Sequence, residues 1–362
     1  MRVAIIGASG FIGLRLTEVF HLGKLAEVRP IVRSTASLAV LARMRLDWQV
    51  CDLLGGDGLV SALDGCDACV HAAIGNAAQI VGMASVAYTS CALAKVPRLI
   101  WLSSASVHGQ NPKQGTDEQV LIHDRHPLSY NNAKVRAEWV LQRLSKDGRV
   151  EVIFLRPSIV YGPRSRWIDE AALNILRGQM GWINSGKGIC NSIYVDNLVE
   201  AIRLALVASG VSGEGFLVSD AETVRWRDLL LPIAEHLGYP EGVFEEIAQN
   251  DIVYERHSQL TALTTSPLYG RVAGMVPDRA KRIVKAVSQA AKTPLAQMNP
   301  WERHSRAPVK LSVEMSELQQ CNWKLPHAKA ENLLGFHPLI SFPEGLARSI
   351  AWLSFAGYPV KT

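Results

Sequence analysis

Apolar positions in the first half of the chain come in short, nearly continuous runs. Between them lie longer stretches in which apolar residues recur every three or four positions. The runs at 3–6, 28–32, 48–51, 68–72, 98–102 and 150–155 read as strands, and 11–20, 37–43, 58–63, 77–94 and 130–146 as helices. Runs that are apolar at every position belong to strands buried on both faces. Alternation with helices of this length predicts a parallel sheet covered on both sides. Such sheets bind ligands outside the carboxyl ends of their strands, so chemistry is expected in the residues just after each run.

The rhythm loosens after Gly162. Helical periodicity returns at 168–176 and 197–207, with Asp196 as the expected N-cap of the second, followed by a strand at 215–218 and a helix at 226–237. Residues 240–310 carry Pro267, Pro277, Pro294, Pro300 and Pro308 and one amphipathic piece at 278–292, whose basic residues include Arg279, Lys281, Arg282, Lys285 and Lys292. That piece reads as a solvated helix face, with a substrate lid or a contact with an anionic membrane surface as alternatives. Helices around 316–318 and 333–334, and then at 342–353, close the pattern. The expected architecture is α/β: a Rossmann-type doubly wound parallel sheet over 1–165, with 190–220 contributing. A smaller, mostly helical C-terminal substrate lobe over 166–362 follows and includes the insertion at 240–310.

Composition changes this picture little. The 362 residues are 48% hydrophobic and 20% charged with a net charge of +5, which suits a soluble globular protein with a sizeable core and makes nucleic acid a poor partner. No apolar run reaches the roughly 18 residues of a membrane span. The first strand starts at Val3, leaving no room for a signal peptide. Of the six cysteines, Cys66 and Cys69 match C-x-x-C without a second pair at zinc spacing. Free thiols, no metal and a cytoplasmic location are the expectations.

The first strand runs into Gly7-Ala-Ser-Gly10-Phe-Ile-Gly13 and then a helix, which is the geometry of a dinucleotide pyrophosphate site. Gly7 permits the turn, Gly10 lets backbone N–H groups approach the phosphates, and Gly13 lets helix and strand pack closely. Ser9, Phe11 and Ile12 complete this cradle at the positive end of the helix. At the end of the second strand, Arg33 and Ser34 stand where an acidic residue would hold the adenosine ribose of NAD(H). A guanidinium fork and a hydroxyl suit a 2′-phosphate, so NADP(H) is favoured over NAD(H). Asp52 and Leu53 follow the third strand near the adenine, and Ala72 and Ala73 after the fourth let the cofactor pass.

After the fifth strand come Ser103 and Ser104, and further on Tyr130-Asn-Asn-Ala-Lys134. On a helix, Tyr130 and Lys134 share a face. A phenol with a pKa near 10 is a poor base at neutral pH. A neighbouring ammonium and the charge of an oxidised nicotinamide bring it toward working range. A serine hydroxyl then holds the substrate oxygen while the tyrosine moves its proton.

With these residues together, the chain resembles the extended short-chain dehydrogenase/reductase family, whose sugar-nucleotide branch is labelled NAD-dependent epimerase/dehydratase. The matching residues are the glycine turn, Asp52-Leu53, His71-Ala-Ala73, Ser103-Ser104, Tyr130 to Lys134, and the run from Leu155 to Pro163; Ile193 to Asp196 matches more weakly. The resemblance covers 1–205 and, more loosely, the last 50 residues. It implies Tyr130 as acid/base, Lys134 as its partner on the nicotinamide ribose, and Ser104, with Ser106 as rival, orienting the substrate oxygen. It also implies Arg156, Pro157 and Ser158 near the nicotinamide, Asp196 between the lobes, and a homodimer through the helices at 77–94 and 130–146.

Departures from the pattern bear on the substrate. His108 and Tyr194 stand where the family often has tyrosine and histidine. Ile189 to Ser192 lacks the arginine that grips a sugar-nucleotide pyrophosphate, a task left to Lys187, Arg164 or Arg166. No acidic residue follows Ser104, which argues against sugar dehydration. The expectation is hydride transfer between NADP(H) and a small-molecule secondary alcohol or ketone. A sugar-nucleotide epimerase is the alternative enzyme, and a catalytically silent scaffold that only binds the cofactor is the alternative of another class.

Overall fold

The computed structural model describes residues 1–54, 58–248, 252–253, 309 and 311–361. Its first ten strands in chain order are β1 (Arg2–Ile6), β2 (Glu27–Val32), β3 (Gln49–Val50), β4 (Ala68–His71), β5 (Arg98–Leu102), β6 (Glu151–Pro157), β7 (Ile159–Tyr161), β8 (Gly181–Trp182), β9 (Ser192–Tyr194) and β10 (Gly215–Val218). The principal helices are α1 (Phe11–Leu22), α2 (Leu59–Leu63), α3 (Ala77–Leu93), α4 (Ser129–Leu144), α5 (Arg166–Arg177), α6 (Val195–Val207) and α7 (Trp226–His236). Later helices are Val313–Gln319, Ala328–Leu334 and Phe342–Phe355.

Seven strands form one parallel sheet in the order β10-β6-β5-β4-β1-β2-β3. The order reverses between β1 and β4, where Val3 pairs with Val28 on one side and Ala68 on the other. The crevice of such a sheet opens at that switch point. Alternate strand residues face opposite layers. Val3, Ile5, Val70, Ile100, Ile153 and Phe216 share a core with α1 and α6. Ala4, Ile6, Cys69, Leu99, Trp101 and Phe154 share one with α3 and α4. Both sets being apolar explains the uninterrupted runs.

A further core joins Ile168 and Leu176 of α5, Trp226 and Leu230 of α7, and Leu346 and Leu353 near the C-terminus. Residues 328–336, expected in the second lobe, also cover the sheet: Ala330, Leu334 and Phe336 pack with α1 and α6. The stretch expected as helix at 37–43 is a 3-10 helix over Thr35–Leu41, with Leu41 its one buried residue and Leu38 and Val40 packing more shallowly on the same core. The amphipathic piece at 278–292 lies outside the described residues, as does most of the 240–310 insertion.

Asp196 is not the N-cap of α6. Tyr194 holds that position, and Asp196 sits in the first turn, where it pairs with Arg15 of α1 at 2.5 Å. The carboxylate that accepts the N-cap N–H of this helix comes from across the fold. Buried Asp220, after β10, accepts from Tyr194 N–H at 3.0 Å and Asn197 Nδ2 at 2.7 Å. An anion there meets the helix dipole and the orphan donors together.

Candidate active site

Beyond β1 the chain turns at Gly7, whose φ of +82° strains any residue with a side chain. A Cβ on Gly7 would lie 2.7 Å from Ala73 Cα, and one on Gly13 would lie 2.3 Å from the Gly7 carbonyl oxygen. Gly10 opens α1 with no side-chain cap, leaving the first N–H groups of the helix for an anion. Phe11 leans on the core of α5 and α7 and Ile12 on that of α1 and α6, so the turn is braced from both sides. Arg33 and Ser34 are exposed just past β2, with the Ser34 hydroxyl 3.0 Å from that of Ser37. Asp52 is exposed after β3, and Ala72 and Ala73 edge the crevice beside Gly7. The donor set fits a dinucleotide: a cradle closed to any Cβ, a bare helix N-terminus, and a cation one strand over.

Ser104 ends the segment after β5 and caps a 3-10 turn over Ala105–His108, its Oγ accepting from Ser106 N–H at 3.2 Å. One lone pair of this hydroxyl is thereby used, and its proton is free to donate. Tyr130 lies in the first turn of α4, half-buried. Burial pushes its phenol up to about 12, opposed by the Arg166 charge and the Ser104 hydroxyl and reinforced by Glu314. Ser104 and Tyr130 are therefore neighbours. Lys134 is buried, donates to the Leu102 carbonyl at 2.8 Å, and reaches the faces of Trp101 and Tyr130 at 5.5 and 5.7 Å. Burial pulls its ammonium down to about 8, with Glu138 opposing. The lysine thus sits beneath the tyrosine ring rather than beside its oxygen. His71, at the end of β4, stacks on Trp101 at 4.2 Å, and burial followed by the Lys134 charge lowers it to about 3, so its imidazole is neutral.

Two expected cofactor neighbours turn inward. The Ser103 hydroxyl donates to Glu138 Oε1 at 2.5 Å, which leaves its backbone at the crevice edge. Arg156 is buried against the same carboxylate at 2.7 Å and against His108 Nε2 at 3.3 Å, so it does not face the nicotinamide side. A buried guanidinium needs a buried anion, and Glu138 is that anion. Pro157 ends β6, and the Ser158 hydroxyl donates to the Val218 carbonyl at 3.1 Å.

Residues without a sequence signal also gather here. Gln110 Nε2 donates to Glu314 Oε1 at 3.2 Å, and Arg166 reaches Glu314 at 3.7 Å, which brings the start of α5 and a C-terminal helix to the tyrosine. Spacings of 204 and 148 residues put such contacts beyond any local pattern. Cys190, by contrast, is buried among apolar groups. Among the described residues no cluster of histidine, cysteine or carboxylates could hold a metal ion, and no helix is long and apolar enough to cross a membrane.

Comparison with known proteins agrees with this arrangement. The model of the 3-beta hydroxysteroid dehydrogenase/isomerase family matches residues 4–247. The chain is 25% identical over 383 residues to a decarboxylating sterol-4-alpha-carboxylate 3-dehydrogenase of Candida albicans, covering 97% of each chain. It is 25% identical over 260 residues to a UDP-glucose 4-epimerase of Vibrio cholerae, covering 66% of this chain and 76% of the relative. In three dimensions it resembles dTDP-glucose 4,6-dehydratase from Streptomyces venezuelae with NAD bound (TM-score 0.69, 18% identity, 98% of this chain and 97% of that one). It also resembles UDP-glucose 4-epimerase of Thermotoga maritima (TM-score 0.68, 17% identity, 98% and 99%). At these identities the structural likeness speaks for the fold.

Proposed function

The chain belongs to the 3-beta hydroxysteroid dehydrogenase/isomerase family of extended short-chain dehydrogenases/reductases, and on that premise we propose that it interconverts a secondary alcohol and a ketone on an apolar ring skeleton. The observation that carries this reading is the meeting of Ser104, Tyr130 and buried Lys134 at the carboxyl edge of the sheet, next to the glycine turn at the switch point. When bound, the nicotinamide supplies the hydride acceptor or donor.

Gly7, Ser9, Gly10, Phe11, Ile12 and Gly13 would hold the pyrophosphate, and Arg33 with Ser34 the 2′-phosphate, making NADP the preferred cofactor. Asp52, Leu53, Ala72, Ala73, Pro157, Ser158 and the backbone of Ser103 would line the remainder. Ser104 donates to the substrate oxygen, Tyr130 exchanges its proton with the Arg166 charge and the Ser104 hydroxyl favouring its phenolate, and the Lys134 ammonium lies beneath the ring. An apolar substrate is supported by the sterol relatives and by the segment Ile189 to Ser192, which offers no cation. We also take the protein to be a cytoplasmic homodimer joined through α3 and α4.

Tyr130→Phe tests the assignment. Turnover with NADPH and a sterol-type ketone is expected to fall by roughly 10²–10⁴-fold while cofactor affinity holds. Unchanged turnover would refute it. Transient oxidation of a sugar nucleotide is the second reading, favoured by the likeness to UDP-glucose 4-epimerase. Cofactor co-purifying with the protein and returning to its starting state each cycle would select it.

A further inference from the structure

Behind the Ser–Tyr–Lys set lies a buried charge to which the proposed reaction gives no task. Glu138 stands four residues after Lys134, one turn along the same face of α4, and its side chain is 0% exposed. Its Oε1 accepts from Ser103 Oγ at 2.5 Å and Arg156 Nε at 3.1 Å, and its Oε2 accepts from Arg156 Nη2 at 2.7 Å. Arg156 is held in turn by His108 Nε2 at 3.3 Å. It packs so close to Gly215 that a Cβ there would lie 2.8 Å from the guanidinium carbon. Burying such a pair rarely adds net stability over apolar residues of the same volume.

The groups around Lys134 give the carboxylate a role. From its own helix come Tyr130 and Glu138, from β4 the neutral His71, from β5 Trp101 and the Leu102 carbonyl, and from β6, through Glu138, Arg156. Glu138 is the one anion among them, and it also grips the serine next to Ser104. We infer that Glu138 is a positioning residue. Its carboxylate, clamped by Ser103 and Arg156, keeps Lys134 protonated beneath Tyr130 and ties the Ser103–Ser104 strand end to the helix carrying the tyrosine. This rests on the proposed reaction for its consequence but not for its first measurement.

That measurement is the ¹³Cε titration of Lys134 in [¹³C]lysine-labelled protein without cofactor, assigned with Lys134→Met. A midpoint near 8 is expected in the parent, in line with the burial of the ammonium. In Glu138→Gln it is expected to fall by about one unit, because the charge that holds the proton is gone. The alkaline limb of kcat should move with it while KM values stay within about threefold.

Because Glu138→Gln leaves Arg156 unpaired, Glu138→Gln/Arg156→Met removes both charges together and is expected to fold with a midpoint between those of the parent and Glu138→Gln, since the lost guanidinium had opposed the carboxylate. An unchanged lysine midpoint in either folded variant overturns the inference. So does failure of both to fold, which would make Glu138 a structural residue only. A shifted midpoint in a protein inactive on every alcohol tested would instead leave Glu138 in place and remove the reaction.

Discussion

Two serines one residue apart compete to orient the substrate oxygen, and their hydrogen bonds separate them. Ser104 Oγ accepts from Ser106 N–H and hydrogen-bonds the Tyr130 phenol, whereas the Ser106 hydroxyl is buried with no partner among the described residues. Ser104→Ala is expected to lower kcat by roughly 10²-fold and Ser106→Ala by less than about threefold, measured side by side under saturating cofactor. Arg33→Ala should shift the NADPH/NADH preference in kcat/KM by about tenfold toward NADH, roughly 1.4 kcal/mol of a charge-assisted contact. An unaltered ratio would mean that the residue does not read the 2′-phosphate. At this scale the residue types were legible but their directions were not. Ser103 looked like a crevice residue because it adjoins Ser104. Only a glutamate 35 positions away, which no local spacing announces, reveals that its hydroxyl points inward.

Elements were the most legible level, because burial on both faces writes itself as runs of apolar residues and helix packing as a period. The strand expected at 98–102 and the one at 215–218 appear with those bounds. What failed was capping. A side chain that serves a helix end from another part of the chain, as Asp220 serves α6, leaves no mark near that end. Asp220→Ala should therefore destabilise the protein by about 2 kcal/mol in urea unfolding, more than Asp196→Ala, since it strands buried donors. Gly13→Val drives a side chain into the Gly7 carbonyl. Calorimetry and cofactor titration should show a lower Tm and at least about a tenfold loss of affinity, because α1 can no longer close on β1.

For the whole molecule, acid should be more damaging than base near neutrality. An unfolded histidine takes up a proton near pH 6.5, while buried His71 in the folded state holds out to about 3. A base whose folded pKa is depressed contributes its full stability above 6.5. That contribution is lost as pH falls toward 3, at about 1.4 kcal/mol per unit. Urea unfolding at pH 7 and pH 5 should record the loss, and His71→Phe, which keeps a ring against Trp101, should lessen it without abolishing it, because burial also lowers His108 to about 4. The change of rhythm after Gly162 led to the expectation of a second lobe. Its interleaving with the first was not legible, because the second crossing back to the sheet is a seven-residue helix, Ala328–Leu334, too short for its period to show where it docks.

That return has a consequence for how the protein is made. Phe336 fills a core whose first residues, Val3 and Ile5, emerge from the ribosome more than 300 residues earlier. One face of the nucleotide-binding sheet therefore stays partly bare until residues 330–336 have emerged, and the final closure must wait for them. A fragment ending near residue 250 is expected to bind chaperones and aggregate rather than persist as a free nucleotide-binding module. Supplying residues 311–361 on a separate chain would be the direct way to rescue it.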